Sequence, residues 1–166
     1  MATLHPREIE FAESAPVRID GKATLDATPA EVWEVLLDYE AWPRWFRGLH
    51  TCRATSEPAT GVGSTRTVTL AKGRSVVEER FIAWEDERLW AFTATAMNPA
   101  VFRSLVERVT IEPVDAGRTA VTYRMALEPA TALKPLVPLL RVGVARNLSA
   151  ALVELGREVT RRRPPA

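Results

Sequence analysis

The stretch that decides the fold of this 166-residue chain is residues 27–46, ATPAEVWEVLLDYEAWPRWF. The pattern Thr28-Pro-Ala-Glu31 is typical of a capping box with proline in the first helical turn. The Thr28 hydroxyl accepts a hydrogen bond from the Glu31 amide, and the Glu31 carboxylate accepts one from the Thr28 amide. The pattern therefore predicts a short helix that ends near Asp38, followed by an aromatic-rich helical turn at residues 42–46.

Segments of alternating apolar and polar residues lie on both sides of these two short helices. One precedes them at residues 17–26, and six follow them. Because turn-forming residues join the six with connections too short for parallel crossovers, neighbouring strands are predicted to be antiparallel. The six segments are residues 49–56, 64–71, 74–84, 88–97, 101–114 and 119–127.

The hydrophobic period changes near Pro135, where apolar residues begin to recur in steps of three and four. This stripe predicts a helix of about 25 residues and roughly 37 Å, long enough to cross a small sheet. The predicted fold is therefore α+β, with a curved seven-stranded antiparallel sheet wrapped around one long C-terminal helix. The stripe includes Leu136, Leu140, Val144, Leu148, Leu152, Leu155 and Val159.

Composition sets the domain organisation and excludes several classes of protein. We expect an N-terminal arm at residues 1–16, a single domain at 17–160 and a disordered basic tail at 161–166. The net charge of +1 provides no strong overall field for nucleic acid. One cysteine and two histidines exclude an intrachain disulfide, a thiolate cluster and a multi-histidine metal site. No apolar run is long enough to span a membrane and the N-terminus lacks a secretory layout, so a cytoplasmic location is expected.

Residues 27–46 resemble the opening of the START-like, or SRPBCC, superfamily of Bet-v-type helix-grip proteins, and within it the polyketide cyclase/dehydrase-like group. Gly61-Val62-Gly63, Glu79-Arg80-Phe81 with Trp84, and the long terminal helix extend the resemblance over residues 17–160. The resemblance implies the helix-grip fold. It does not choose an activity, because the superfamily includes lipid carriers, hormone receptors and aromatic-ring cyclases.

A curved sheet that grips a single helix is expected to leave an internal cavity, and two polar residues are predicted to face it. Glu107 alternates with Leu105 and Val109, so its carboxyl group is expected to be buried, and a buried carboxyl group must either be paired or have a raised pKa. Tyr123 alternates with Val121 in the same way. These are the candidate catalytic residues; the alternatives are that Glu107 pairs with a neighbouring arginine or turns outward at a bulge, and that Tyr123 is core.

The predicted ligand-binding residues combine aromatic, apolar and polar side chains on strands, the aromatic turn and the terminal helix. One of Arg66, Arg80 and Arg124 is expected to point inward, and the sequence leaves open which. The predicted set is Trp45, Phe46, Arg66, Phe81, Trp90, Phe92, Glu107, Tyr123, Leu136, Leu140 and Val144.

The absence of any recognised catalytic motif favours a binding protein for a small hydrophobic or amphipathic molecule: a lipid, a polyketide or an aromatic metabolite. One alternative is a cyclase- or dehydratase-like enzyme that uses Glu107, Tyr123 and an inward arginine. The other is a protein-interaction module with an outer apolar patch around Ile82 and Trp84. We expect no cofactor, no metal and no nucleic-acid partner. The protein is expected to be a monomer or a homodimer.

Overall fold

The computed structural model describes residues 1–164, apart from the side chain of Leu140. The strands begin and end within one or two residues of the predicted alternating segments, and one further strand lies in the N-terminal arm. They are β1 (Ala2–Thr3), β2 (Val17–Leu25), β3 (Leu49–Ala54), β4 (Thr65–Leu70), β5 (Ser75–Glu85), β6 (Leu89–Asn98), β7 (Phe102–Asp115) and β8 (Arg118–Pro129). The helices are α1 (Phe11–Ser14), α2 (Pro29–Leu37), α3 (Trp42–Trp45) and α4 (Val137–Arg162), with 3-10 turns at Tyr39–Ala41, Ala71–Gly73 and Thr131–Leu136.

The main sheet is antiparallel and follows the order β2-β8-β7-β6-β5-β4-β3. Strands β3 to β8 therefore lie side by side in sequence order, and β2 pairs with the edge of β8 that does not face β7. The sheet curls around α4, which confirms the predicted α+β helix-grip fold. Within residues 1–164 no single helix is long and apolar enough to cross a membrane; one pair meets that test together, Thr131–Leu139 with Arg141–Arg162, but it is bent by 68°.

The capping box at the start of α2 forms as predicted. The Glu31 amide donates to the Thr28 hydroxyl at 3.3 Å, and the Thr28 amide donates to the Glu31 carboxylate at 2.8 Å. These bonds satisfy amides that the first turn leaves without a helical partner. The helix then buries Val32, Trp33 and Leu36 against the core.

Helix α4 crosses β2 at a position where only glycine fits. A Cβ atom at Gly21 would lie 2.5 Å from the Leu148 Cβ and 2.8 Å from the Ser149 amide nitrogen. Leu148, Leu152 and other members of the predicted stripe are buried in the core. The absence of a side chain at Gly21 therefore sets how closely the long helix packs on the sheet.

The N-terminal arm is an ordered part of the sheet. β1 pairs with the end of β6, the Leu4 amide donates to the Thr95 carbonyl at 2.9 Å and the His5 amide to the Arg103 carbonyl at 2.8 Å. The arm thus bridges β6 and β7 beyond the part where they pair with each other. Helix α1 follows and packs Ala12 on the outer face of the sheet.

The prediction of a disordered basic tail is wrong for its first part. Helix α4 continues through Arg162, and both Arg161 and Arg162 form ion pairs with the buried Glu158. Arg163 pairs with Glu31 at 2.8 Å. These acidic partners favour an ordered end, and Pro165 and Ala166 lie outside the described residues.

The prediction of an outer apolar patch around Ile82 and Trp84 is also wrong, because a β-bulge turns the two side chains to opposite faces of the sheet. The register between β5 and β6 shifts between Phe81 and Ala83, so that Ile82 is the extra residue. Trp84 consequently turns inward and packs edge-on against Phe81 at 5.0 Å, whereas Ile82 packs with α1 on the outer face. The protein-interaction alternative loses the patch on which it was based.

Candidate functional site

Two adjoining spaces lie between the sheet and the helices. The inner cavity, of about 100 Å³, lies among β3–β8 and the aromatic turn, and the outer pocket, of about 240 Å³, lies beneath the start of α4. Phe102 and Met125 line both and therefore separate them. The inner cavity is lined by Trp42, Phe46, Leu49, Arg66, Val68, Leu70, Val77, Glu79, Phe92, Met97, Phe102, Leu105, Glu107, Tyr123 and Met125.

A buried ion pair forms one part of the inner wall. Arg66 on β4 and Glu79 on β5 are directly opposite in the strand register, and the Arg66 Nε donates to Glu79 Oε2 at 2.6 Å. The two residues are only 1% and 6% exposed. Burial raises the pKa of Glu79, while the adjacent guanidinium favours its ionised form. Each charge thus compensates the other away from water.

Aromatic rings surround the guanidinium of Arg66. Its central carbon lies 4.4 Å from the ring centre of Trp42, 4.6 Å from that of Phe92, and 5.2 Å from those of both Phe81 and Trp90. Such contacts favour a cation over the face of a ring. The Nη1 atom is buried and makes no hydrogen bond with any residue that the structure describes. An acceptor brought by a ligand or a water molecule would satisfy this donor.

Glu107 and Tyr123 form the second polar part of the wall. They lie on β7 and β8, and the Tyr123 hydroxyl donates to Glu107 Oε2. Burial, and next the nearby Glu79 charge, raise the pKa of Glu107 to about 8, which the bond from Tyr123 and the charge of Arg66 only partly oppose. Burial and the Glu107 carboxyl raise the pKa of Tyr123 well above its ordinary value. At neutral pH both groups are therefore mainly protonated.

The comparisons with known proteins agree with this geometry. Residues 16–160 match the family described as "Polyketide cyclase / dehydrase and lipid transport". The chain belongs to this family. It is also 31% identical over 144 residues to an uncharacterised protein of Mycobacterium tuberculosis, a match that covers 84% of this chain and 85% of that one.

Solved structures show the same fold at low sequence identity. The Zhui aromatase/cyclase from Streptomyces sp. R1128 superposes with a TM-score of 0.72 at 18% identity, covering 88% of this chain and 94% of that one. A START superfamily protein from Mycobacterium smegmatis gives a TM-score of 0.72 at 13% identity, covering 88% and 99%. Both confirm the helix-grip architecture.

In this member of the polyketide cyclase/dehydrase and lipid transport family, six of the predicted ligand-binding residues line one of the two spaces. Phe46, Arg66, Phe92, Glu107 and Tyr123 line the inner cavity, and Val144 lines the outer pocket. The open choice among three arginines is resolved, because Arg80 is exposed and Arg124 pairs with Asp20 at 2.7 Å on the other face.

The structure does not place four other predicted residues in either wall. Trp45 is buried against Trp42, with ring centres 4.6 Å apart. Phe81 and Trp90 pack around the Arg66 side chain and not against the empty space. Leu136 is 48% exposed. The side chain of Leu140 lies outside the described residues.

Sequence reasoning missed several wall residues of this family member, above all Glu79. Val77, Glu79 and Phe81 alternate and therefore share one face of their strand, so the sequence did indicate that Glu79 points inward. It was missed because Glu107 was taken as the acidic residue of the cavity. Met125 alternates with Tyr123 and so shared its predicted inward face. The position of Phe102 and Met125 between two spaces gave no signal, because it depends on how the strands curve. Among residues 1–164 no group of three potential metal ligands lies close enough to hold a metal ion.

Proposed function

We propose that this protein binds a small amphipathic molecule whose neutral polar end occupies the inner cavity and whose apolar part extends into the outer pocket. The observation that carries the proposal is the buried set of Arg66, Glu79, Glu107 and Tyr123 in a wall that is otherwise apolar. Convergent polar groups in an apolar pocket are typical of sites that orient a ligand.

The size of the two spaces supports a ligand that spans both. The inner cavity approaches the roughly 150 Å³ that accommodates a benzene ring. The outer pocket adds about 240 Å³ of mainly apolar surface, including Val17, Val101 and Leu127. Binding across Phe102 and Met125 would therefore place a ring or polar head inside and a chain or second ring outside.

The charges of the inner cavity favour a neutral polar end. Arg66 and Glu79 neutralise each other, and Glu107 is mainly protonated at neutral pH. A ligand carboxylate would add an uncompensated charge to a buried site, which is strongly unfavourable. A hydroxyl or carbonyl group, as found in polyketides, fatty alcohols and phenolic metabolites, would instead accept from a donor that lacks a partner.

Isothermal titration calorimetry with 2-naphthol, naphthalene and 2-naphthoate tests this proposal, because the three differ only in the polar end. We expect 2-naphthol to bind best, by roughly tenfold over naphthalene, the value of about one buried hydrogen bond. Tyr123→Phe should reduce that preference, because it removes one of the polar groups that line the inner cavity beside Arg66. Tyr39→Phe is the matched control, since the Tyr39 hydroxyl bonds the Ala59 carbonyl at 3.4 Å and lines neither space. Equal binding of all three compounds, or none, would contradict the proposal.

A second function is favoured by the protonated Glu107 beside Tyr123 and Arg66. With a β-hydroxy ketone bound and its carbonyl near Arg66, Glu107 would give its proton to the leaving hydroxyl, which departs as water. The resulting carboxylate would then take the proton from the carbon next to the carbonyl, forming the double bond and restoring the acid. A pKa of about 8 suits a group that acts in both directions near neutral pH.

This dehydratase activity is tested with 4-hydroxy-4-phenylbutan-2-one, whose dehydration gives a conjugated ketone with near-ultraviolet absorbance. We expect Glu107→Gln to abolish any enzyme-dependent rise in absorbance. Glu112→Gln, on the exposed end of the same strand, should leave it unchanged. No rise above the uncatalysed rate with the wild-type protein would remove this second function and leave the binding proposal in place.

A further inference from the structure

An exposed apolar stripe runs along the segment that leads into α4. Leu139 is 78% exposed, Val142 55% and Leu136 48%. Leu136 and Leu139 lie before, and Val142 lies after, the 68° bend between Thr131–Leu139 and Arg141–Arg162, so the three exposed side chains flank this bend. The opposite side of the same segment, which carries Val137 and Val144, lines the outer pocket. The stripe therefore has no packing partner among the described residues of this chain.

The same segment carries a concentrated positive charge. Lys134, Arg141 and Arg146 are exposed, and the sequence from Pro129 to Val153 contains no aspartate or glutamate. The whole chain has a net charge of only +1, so the charges of these three residues are balanced by acidic residues elsewhere. A basic, apolar and exposed helical face is typical of a segment that lies on an anionic lipid surface.

We propose that residues 131–146 dock on the surface of an anionic lipid bilayer, with Leu136, Leu139 and Val142 entering the interface and the three basic residues contacting lipid headgroups. The outer pocket lies immediately beneath this segment, lined by Leu133, Val137, Arg141 and Val144 on its helical side. Docking would place the mouth of the pocket beside the lipid phase.

Charge also favours a bilayer over a second copy of the chain as the occupant of this face. Two copies paired through the stripe would bring two sets of basic residues together, which is unfavourable, whereas anionic headgroups complement them. Each basic residue near such a surface contributes roughly fivefold in affinity, so three predict roughly a hundredfold preference for anionic over neutral vesicles. The surface residues alone determine this binding, and it does not depend on any ligand in the inner cavity.

Co-sedimentation with vesicles tests the proposal. We expect the full-length protein to bind vesicles of equal parts phosphatidylglycerol and phosphatidylcholine, to release them at high salt and to bind pure phosphatidylcholine vesicles weakly. The double variants Leu139→Gln/Val142→Gln and Arg141→Gln/Arg146→Gln should each lose at least tenfold in affinity. Val62→Gln/Val114→Gln is the matched control, because these two exposed valines lie far from the segment in sequence, Val62 in the loop before β4 and Val114 near the end of β7.

Three results would overturn the proposal. One is the absence of binding to anionic vesicles; a second is equal binding to both vesicle types; a third is a wild-type affinity in both segment variants. Size-exclusion chromatography over a range of concentrations tests the alternative that a second copy of the chain occupies this face. A dimer that Leu139→Gln/Val142→Gln dissolves would assign the stripe to self-association.

Discussion

Glu107 carries its carboxyl group where ionisation is unfavourable, and this should make the stability of the protein depend on pH. The unfolded chain loses the proton near the ordinary value of 4.5, whereas the folded protein keeps it until about pH 8. The unfolded state is therefore increasingly favoured as pH rises between those values. We predict that Glu107→Gln becomes more stable relative to wild type by roughly 1.4 kcal/mol per pH unit across this range.

Urea unfolding of both proteins at several pH values between 5 and 8 measures this difference. Glu112→Gln is the control, since Glu112 lies on the same strand with its side chain exposed. If the difference between Glu107→Gln and wild type stayed constant with pH, Glu107 would already be ionised in the folded protein.

Removing one partner of the Arg66–Glu79 ion pair is predicted to lower the free energy of unfolding more than replacing both partners by uncharged residues. Arg66→Met leaves a buried carboxylate without its partner and should reduce the free energy of unfolding by about 3–5 kcal/mol. The double variant Arg66→Met/Glu79→Gln removes both charges and should recover most of that loss. A double-mutant cycle by chemical denaturation checks this coupling. Additive losses would show that the two side chains do not interact as the geometry indicates.

Residue-level prediction from sequence worked where alternation alone decides direction. Glu107 and Tyr123 were expected to face inward and do, because β7 and β8 pair without interruption through this region. Phe81, Trp90 and Phe92 were predicted to lie at the site, but alternation did not predict that they enclose Arg66, since the rings around it belong to several strands and to the turn before β3. Trp45 illustrates the limit, because an aromatic-rich turn does not specify which ring reaches the cavity.

At the level of elements, the crossing of α4 over β2 depends on Gly21. Gly21→Ala would place a methyl group 2.7 Å from the Leu148 backbone carbon, so the helix must shift. We predict a loss of about 1–3 kcal/mol in the free energy of unfolding, measured by chemical denaturation. Gly143→Ala is the control within α4: apart from its own stretch of helix, no side chain or backbone that the structure describes lies within 4 Å of its added Cβ, and alanine should stabilise the helix by up to about 1 kcal/mol. An unchanged stability in Gly21→Ala would mean that the helix packs less closely.

Element boundaries were predictable because local signals set them: the capping box begins α2, and short turns separate the strands. Two features were not predictable because they depend on tertiary neighbours. The bulge at Ile82 reverses the direction of Trp84 although the sequence continues to alternate. The basic end of α4 is ordered by Glu158 and Glu31, and the latter lies far away in sequence.

For the whole molecule, the fold followed from counting seven strands and one helix long enough to cover them. The volume and division of the space beneath that helix did not follow, because they depend on side-chain packing. Phe102 and Met125 separate an inner cavity of about 100 Å³ from an outer pocket of about 240 Å³. An amphipathic ligand that occupies both must pass between these two side chains.

The methionine methyl groups provide a direct measurement of ligand entry. The chain has three methionines: Met97 lines the inner cavity, Met125 lines both spaces, and Met1 is 58% exposed at the N-terminus. In protein labelled with carbon-13 at the methionine methyl groups, titration with 2-naphthol should shift the nuclear magnetic resonance signals of Met97 and Met125 and leave that of Met1 unchanged. If the signals of Met97 and Met125 stayed in place at saturating 2-naphthol, or only that of Met1 moved, no ligand would be entering the space between the sheet and α4.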